Sequence, residues 1–480
     1  MKRFVAFLLC LLMVISAVGC GKKTATDDNG IVTIKWLVPG ANQQGLPSVL
    51  EEINKITEKK IGARLDVQFI DDGVFQERMN ANMAAGADYD LAWVGYLNSY
   101  VNAAQNGGLY CLDEFLKNDP DFYNSIEQYA WDGSAIEGKI YAVPNMQIHA
   151  TSTCLMFLKE YVDKYNFDVT KVKTTEDIEP FLAQIAANEK DLYPFRTTYG
   201  TSSFRSMDEE EIYGELTKFY VAEENGKPIV KYSWEALNTY EKMQKLHEWY
   251  KKGYVRKDVA SVTDDLQELR AGRYAVWCDV YKPGVEAEYG ARIGQPVVAV
   301  QISKPIINQG SVRATMIGIG NKSKNPEKAY EMIKLLNTDK DVYNLMCFGI
   351  EGKNYKKTGE NRIELIPNSD YNPSASWKFG NQFNAYILPE QSDTVWEETM
   401  EMNKTAVRTP TFGFVHDPDP ISVELMQIET IGKKYTVLTN GSEDPAKYFE
   451  EYKKEFLTGG GEKARTELQR QIDEFYKSQQ

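Results

Sequence analysis

Histidine is scarce in this chain. His149, His247 and His416 are the three present, too scattered to suggest a metal cluster. Cysteine is used as sparingly: past the first twenty residues only Cys111, Cys154, Cys278 and Cys347 remain. None has C-x-x-C spacing, so zinc and redox motifs are unsupported and burial as small apolar residues is expected. Positive charge is short, with 55 Lys and Arg against 69 Asp and Glu and a formal net charge of −14. So acidic a chain repels nucleic acid and anionic lipid alike, which argues against either as its main partner. Gly459-Gly460-Gly461 has no Lys-Ser/Thr behind it, which rejects a phosphate loop. His416-Asp417-Pro418-Asp419-Pro420 lacks the alternating oxygen ligands of a full calcium loop and reads as a rigid turn. No cofactor and no metal are expected. Pairing two carboxylates as glycosidase acid and nucleophile needs a spatial separation that sequence does not supply.

What is present begins at the N-terminus. Lys2 and Arg3 precede the apolar run Phe4 to Val14, which is too short for a transmembrane helix, and Ser16-Ala17-Val18-Gly19-Cys20 follows. This is a secretory signal with a lipobox-like end, in which Ala17 stands where leucine is usual. Residues 1–19 would be removed, Cys20 would be diacylated, and 20–30 would form a flexible lipidated tether. Lys2 and Arg3 leave with the signal, so the net charge moves from −14 to −16. The remaining length implies about two or three domains.

From Val32 the hydrophobic pattern alternates. Val32 to Val38 and Ala63 to Ile70 read as strands, and Leu46, Val49, Leu50, Ile53 and Ile56 follow helical spacing between them. Val74 to Ala85 reads as a helix and Tyr89 to Val94 as a third strand. This βαβα order predicts a parallel sheet whose ligands lie beyond the carboxyl ends of its strands. That nominates Gly40 to Asn42 and Gly95 to Asn98. Further on, Thr174 and Asp177 have capping-box spacing, and Pro445 to Leu457 and Glu462 to Lys477 read as two closing helices.

The stretch from Glu137 to Tyr161, EGKIYAVPNMQIHATSTCLMFLKEY, organises the rest. Its strand-like Ile140 to Val143 stops at Pro144, which has no N–H for a ladder, and a second extended run follows from Cys154 to Leu158. That suits a chain leaving one lobe for another. With the lipoprotein signal, the segment AGRYAVW (Ala271 to Trp277) and GIGNKSKNPEKAYEMIKLL (Gly318 to Leu336), the order of parts resembles the extracellular solute-binding proteins of ABC importers, family 1, carbohydrate-associated. Gly413-Phe414, Asp417 to Pro420, Glu424 and Glu467 to Ile472 resemble a lipoprotein subgroup with a DUF3502-type C-terminal region.

The resemblance implies an α/β fold of the periplasmic-binding-protein-like class II, with two lobes, three hinge crossings and a helical C-terminal region. The expected lobes are 31–144 with 277–318, and 145–276 with 319–411, followed by 412–480. The crossings are expected near Pro144, near Val276 to Tyr281 and near Gly318 to Lys324. It further implies a monomeric, lipid-anchored binder on the outer face of a bacterial membrane. That binder would pass a carbohydrate, first of all an oligosaccharide, to ABC permease subunits without chemistry. A secreted carbohydrate-active enzyme and a surface adhesion or sensory lipoprotein are the other readings. A sugar site needs flat aromatic platforms beside hydrogen-bonding edges. Trp93, Tyr96, Trp277, Tyr281 and Trp377 are candidate platforms, each otherwise a core residue. Asn98, Gln147, Asp279 and Asn384 are candidate edge partners, Asp279 being either a cleft acceptor or a turn residue. His149 lies in the crossover and would face the cleft floor.

Overall fold

A computed structural model describes residues 30–87, 89–197, 203–204, 219–262 and 265–478. The signal and Cys20 lie outside the described residues. The chain runs through β1 (Val32–Pro39), helix Leu46–Ile61, β2 (Ala63–Ile70), helix Asp72–Ala85, β3 (Leu91–Gly95) and β4 (Ala142–Pro144). It continues through β5 (Thr153–Leu158), β6 (Tyr193–Arg196), the hairpin β7 (Phe219–Glu224) and β8 (Lys227–Tyr232), then β9 (Tyr274–Val280) and β10 (Val297–Gln301). Last come β11 (Ile306–Ile307) and β12 (Thr315–Ile319), followed mostly by helices. Among the described residues no helix is long and apolar enough to cross a membrane.

Two sheets define two lobes. The first has the order β2-β1-β3-β12-β4, with β1 parallel to β2 and β3, and β12 antiparallel to β3 and β4. Its strands are apolar runs because helices cover both faces; Ile34, Trp36, Trp93 and Ile317 are fully buried. The expected strand–helix–strand start is present, with the parallel strands ending together at Pro39, Ile70 and Gly95. Gly95 cannot carry a side chain, since a Cβ there would lie 2.1 Å from the carbonyl oxygen of Ala314. The second sheet has the order β10-β5-β9-β6.

Two segments sit in the lobe opposite to the one expected. The AGRYAVW run becomes β9, paired with β5 and β6 at the centre of the second sheet, and β10 follows it there. The helices Pro326–Thr338, Lys340–Phe348 and Val395–Thr405 pack into the core of the first lobe through Met332, Ile333, Met346 and Met402. A uniformly apolar strand satisfies the centre of either sheet equally well, so its pattern does not name its neighbours.

The crossings shift accordingly. The first runs over 145–152, directly after Pro144 as expected. The second runs over 303–309, from β10 to β12, and the third over 406–414, from helix Val395–Thr405 to the C-terminal region. They lie side by side: Thr151 and Ile306 exchange backbone bonds of 2.8 and 2.9 Å, and Ile306 and Ile307 pair with Val407 and Arg408. Val276 to Tyr281 is instead strand and strand end within the second lobe. Gly318 to Lys324 lies at the end of β12 remote from Pro144, where Gly320 N–H donates to Asp90 and Asn321 N–H to Gly108.

The C-terminal region is helical, with Ser422–Lys434, Pro445–Phe456 and Glu462–Ser478. Gly460, at φ +108°, breaks the last two apart, a backbone setting that favours glycine. These helices do not stand alone. Phe449, Phe456, Leu468 and Ile472 share one core with Phe219, Val221, Val230 and Tyr232 of the β7–β8 hairpin.

Candidate functional site

The lobes face each other across a cavity of about 300 Å³. Lys282, Pro283, Gly284 and Glu288 line it from the second lobe; Trp377, Gln382, Glu390, Gln391 and Trp396 line it from the first, and Ile148 of the first crossing lies at its base. The walls touch at the hinge side, where a Cβ on Gly284 would lie 3.5 Å from Val395 Cγ2.

Each wall is set by strand ends. β9 stops at Val280 and the chain turns through Pro283-Gly284 into helix Val285–Ile293, placing Lys282 and Glu288 on the lip as an ion pair of 2.5 Å. On the other side a long connection, 366–394, folds over the carboxyl ends of β1 and β3. Gln43 accepts from Asn372 N–H at 2.9 Å, Gln382 N–H donates to Met146 at 2.7 Å, and Lys378 Nζ donates to the Pro39 carbonyl at 3.0 Å. Lys378 is buried, which pulls its pKa down, while Asp72 at 3.6 Å pulls the other way. Its ammonium stands 5.0 Å from the Trp377 ring. Trp377 meets Tyr96 at 5.9 Å, and Tyr96 meets Trp93 edge-on at 5.5 Å.

Of the residues nominated from sequence, Trp377 lines the cavity, and Tyr96, 57 % exposed, flanks it through the Trp377 ring. Gln147 is half-buried beside Ile148, its carbonyl taking a bond of 2.6 Å from Asn403. Tyr281 packs against apolar residues of both lobes where they meet. Six nominations are corrected by burial or by committed partners. Trp93 and Trp277 are fully buried core residues, Trp93 donating to Thr315 Oγ1 at 2.8 Å. Asn98 is buried and closes the turn after β3 by accepting from Gly95 N–H. Asn384 donates to the carbonyl of Asn337 and its own carbonyl accepts from Asn344, which ties two helices of the first lobe. His149 is fully buried behind the cavity rather than on its floor: Nε2 lies 3.0 Å from the Asn145 carbonyl and Nδ1 3.1 Å from the Tyr129 hydroxyl. Asp279 is neither a cleft acceptor nor a turn residue: it lies within β9 opposite Cys154, its oxygens taken by Val280 N–H and the Tyr289 hydroxyl.

Sequence reasoning passed over Lys282, Glu288, Gln382, Gln391 and Trp396. A signal existed for Gln382 and Gln391, since they belong to a long polar connection rich in Asn, Gln and Ser, where functional residues concentrate. Among the described residues no group of three or more His, Cys, Asp or Glu could hold a metal ion.

Comparison with known proteins decides the family. A curated relative from Streptococcus pneumoniae serotype 4, strain TIGR4, a carbohydrate ABC transporter substrate-binding protein, is 30% identical over 467 residues, covering 95% of this chain and 93% of the relative. This chain belongs to that family. Residues 410–477 of this substrate-binding protein match a domain of unknown function, DUF3502. It is also 22% identical over 378 residues to the polygalacturonan/rhamnogalacturonan-binding protein YtcQ of Bacillus subtilis, covering 69% of this chain and 68% of that one. In three dimensions it is similar to the N-glycan transport solute-binding protein NgtS from Streptococcus pneumoniae, with a TM-score of 0.83 and 28% identity over 93% of this chain and 100% of that one. The same protein in complex with Man1GlcNAc matches at 0.71, over 93% and 99% of the two chains. The substrate-binding protein therefore has the class II fold, two lobes with a helical C-terminal region.

Proposed function

We propose that this protein captures an oligosaccharide between its lobes and delivers it to the permease subunits of an ABC importer, held to the outer face of a bacterial membrane by lipid on Cys20. The cavity is the observation that supports it most: Trp377 and Trp396 offer ring faces, and Gln382 and Gln391 offer hydrogen-bonding edges, in a space walled by both lobes. Three adjacent extended crossings suit a hinge, in which a few element-terminal residues absorb the change on closure. The drop in TM-score from 0.83 to 0.71 between two structures of one relative supports lobes that change position when sugar binds. Closure then presents surfaces of both lobes to the permease, and the ligand is returned unchanged. The protein works as a monomer. Tyr96, Gln147 and Tyr281 lie at the margins of the same site.

A thermal-shift screen of oligosaccharides and peptides identifies the ligand, because only the native state binds it. Against that ligand Trp377→Ala is expected to lose about 1–3 kcal/mol of affinity, the scale of burying one large apolar side chain. Calorimetric titration checks this; unchanged affinity with a lowered melting temperature would make Trp377 structural. For the anchor, Cys20→Ala is expected to shift the protein from the detergent phase to the aqueous phase or leave it unprocessed, since two acyl chains give stable attachment. Full retention of the variant in the detergent phase would contradict a lipid on Cys20.

A further inference from the structure

We infer that the cavity takes uncharged oligosaccharides and turns away acidic ones. This rests on the carbohydrate reading above and decides what the relatives leave open, since one binds N-glycan fragments and another polygalacturonan.

A buried sugar carboxylate needs a cation or several donors, and leaving it unpaired is costly. Among the described residues Lys282 is the one cationic residue lining the cavity, and its ammonium is held at 2.5 Å by Glu288. Glu390 adds a second acid to the same wall. Two cations packed behind the wall are committed elsewhere: Lys378 beneath Trp377 to the Pro39 carbonyl and Asp72, and Arg362 to Asp393 and the carbonyls of Leu388 and Gln391.

Backbone offers the other means of holding an anion, at helix N-termini. Two helices begin at this cavity, Val285–Ile293 and Val395–Thr405. Both already carry a pair of acids in the first turn, Glu286 with Glu288 and Glu397 with Glu398. Their negative charge offsets the positive end of each helix dipole, where a uronate would otherwise gain. The net charge of −14 adds repulsion at longer range.

What the wall does offer suits hydroxyl groups. Gln382 gives one amide hydrogen to Ser376 Oγ at 3.0 Å, which leaves its oxygen to accept and one hydrogen to donate. Gln391 spends its oxygen on Leu388 N–H at 2.9 Å, which leaves its amide to donate. A hydroxyl both donates and accepts and uses such a pair fully, whereas a carboxylate only accepts.

Calorimetry at low salt with chitotriose and mannopentaose as neutral probes and trigalacturonate as the acidic probe tests this on the full mature chain. The better neutral probe is expected to bind at least about tenfold tighter than trigalacturonate, the scale of one unpaired charge at a partly wet site. Glu288→Gln, which frees Lys282 and removes one acid, is expected to lower that ratio about fivefold, and Glu288 is exposed enough to tolerate the change. Trigalacturonate binding as tightly as the neutral probes overturns the inference, and so does an unaltered ratio in the variant. If no saccharide of either class binds while a peptide does, the carbohydrate reading itself fails, which is a distinct result.

Discussion

Asn403→Ala is expected to be the most damaging single substitution at the hinge, costing about 3–5 kcal/mol of stability, the sum of several buried backbone groups left without partners. Asn403 lies in helix Val395–Thr405 and is 4% exposed. Its Oδ1 accepts from the backbone N–H groups of His149 and Ala150 at 2.8 and 2.9 Å, and its Nδ2 donates to the carbonyl of Gln147 at 2.6 Å. One side chain therefore serves three main-chain groups of the first crossing, a stretch with no ladder of its own. Alanine removes the partner and leaves no room for bulk water to replace it. Urea unfolding at pH 7 measures the loss; a change under about 1 kcal/mol, the worth of a single ordinary hydrogen bond, would show that the crossing does not depend on this clamp.

Acid is expected to loosen the same place. The Asn145 carbonyl can only accept, so His149 carries its proton on Nε2 and takes the Tyr129 hydroxyl proton on Nδ1, a neutral tautomer. Burial pulls its pKa from 6.5 down to about 4, against a smaller opposing pull from the Asn145 carbonyl. The unfolded chain therefore binds this proton more readily than the folded one. The stability due to neutral His149 is fully present above pH 6.5, is lost as pH falls from 6.5 to about 4, and amounts to about 3 kcal/mol across that window. Burial also lowers the pKa of His416, so the wild type carries two such contributions. Carboxylates held low by ion pairs, such as Glu179 at about 2, begin to lose their stabilisation as pH nears their unfolded value of 4.5, so at pH 5 only the start of that loss is felt. His149→Gln keeps a donor for Asn145 and cannot charge. The unfolding free energy should fall less between pH 7 and pH 5 in the variant, the remainder belonging to His416 and to carboxylates such as Glu179 and Glu467. Equal falls in both proteins would remove His149 from the acid response.

Tyr96, Tyr281 and Trp377 were nominated because loop positions give a ring little core to fill; Trp377 lines the cavity, and Tyr96 and Tyr281 lie beside it. Trp93, three residues before Tyr96, has the same composition in its favour but points into the sheet's covered face, where Phe75 meets it at 5.7 Å. Trp277 shows the same limit from the second sheet. No local pattern separates these cases, since strand residues alternate faces and only the layers packed on the sheet decide which face is wet.

By itself the sequence determined the elements and the family: the alternating start, the stop at Pro144, the helical tail and the absence of metal or phosphate motifs are all local chemistry, read from residues within a few positions of each other. Tertiary structure alone decided which sheet receives β9 and β10, and with them the lobes' membership and the positions of two of the three crossings. Strand order is a contest between non-local pairings of similar energy, and apolar runs such as Tyr274 to Val276 and Thr315 to Ile319 carry no mark of their partners. The cavity follows the same rule. Lys282, Gln382 and Trp396 are distant along the chain, and only the meeting of two lobe edges makes them one site.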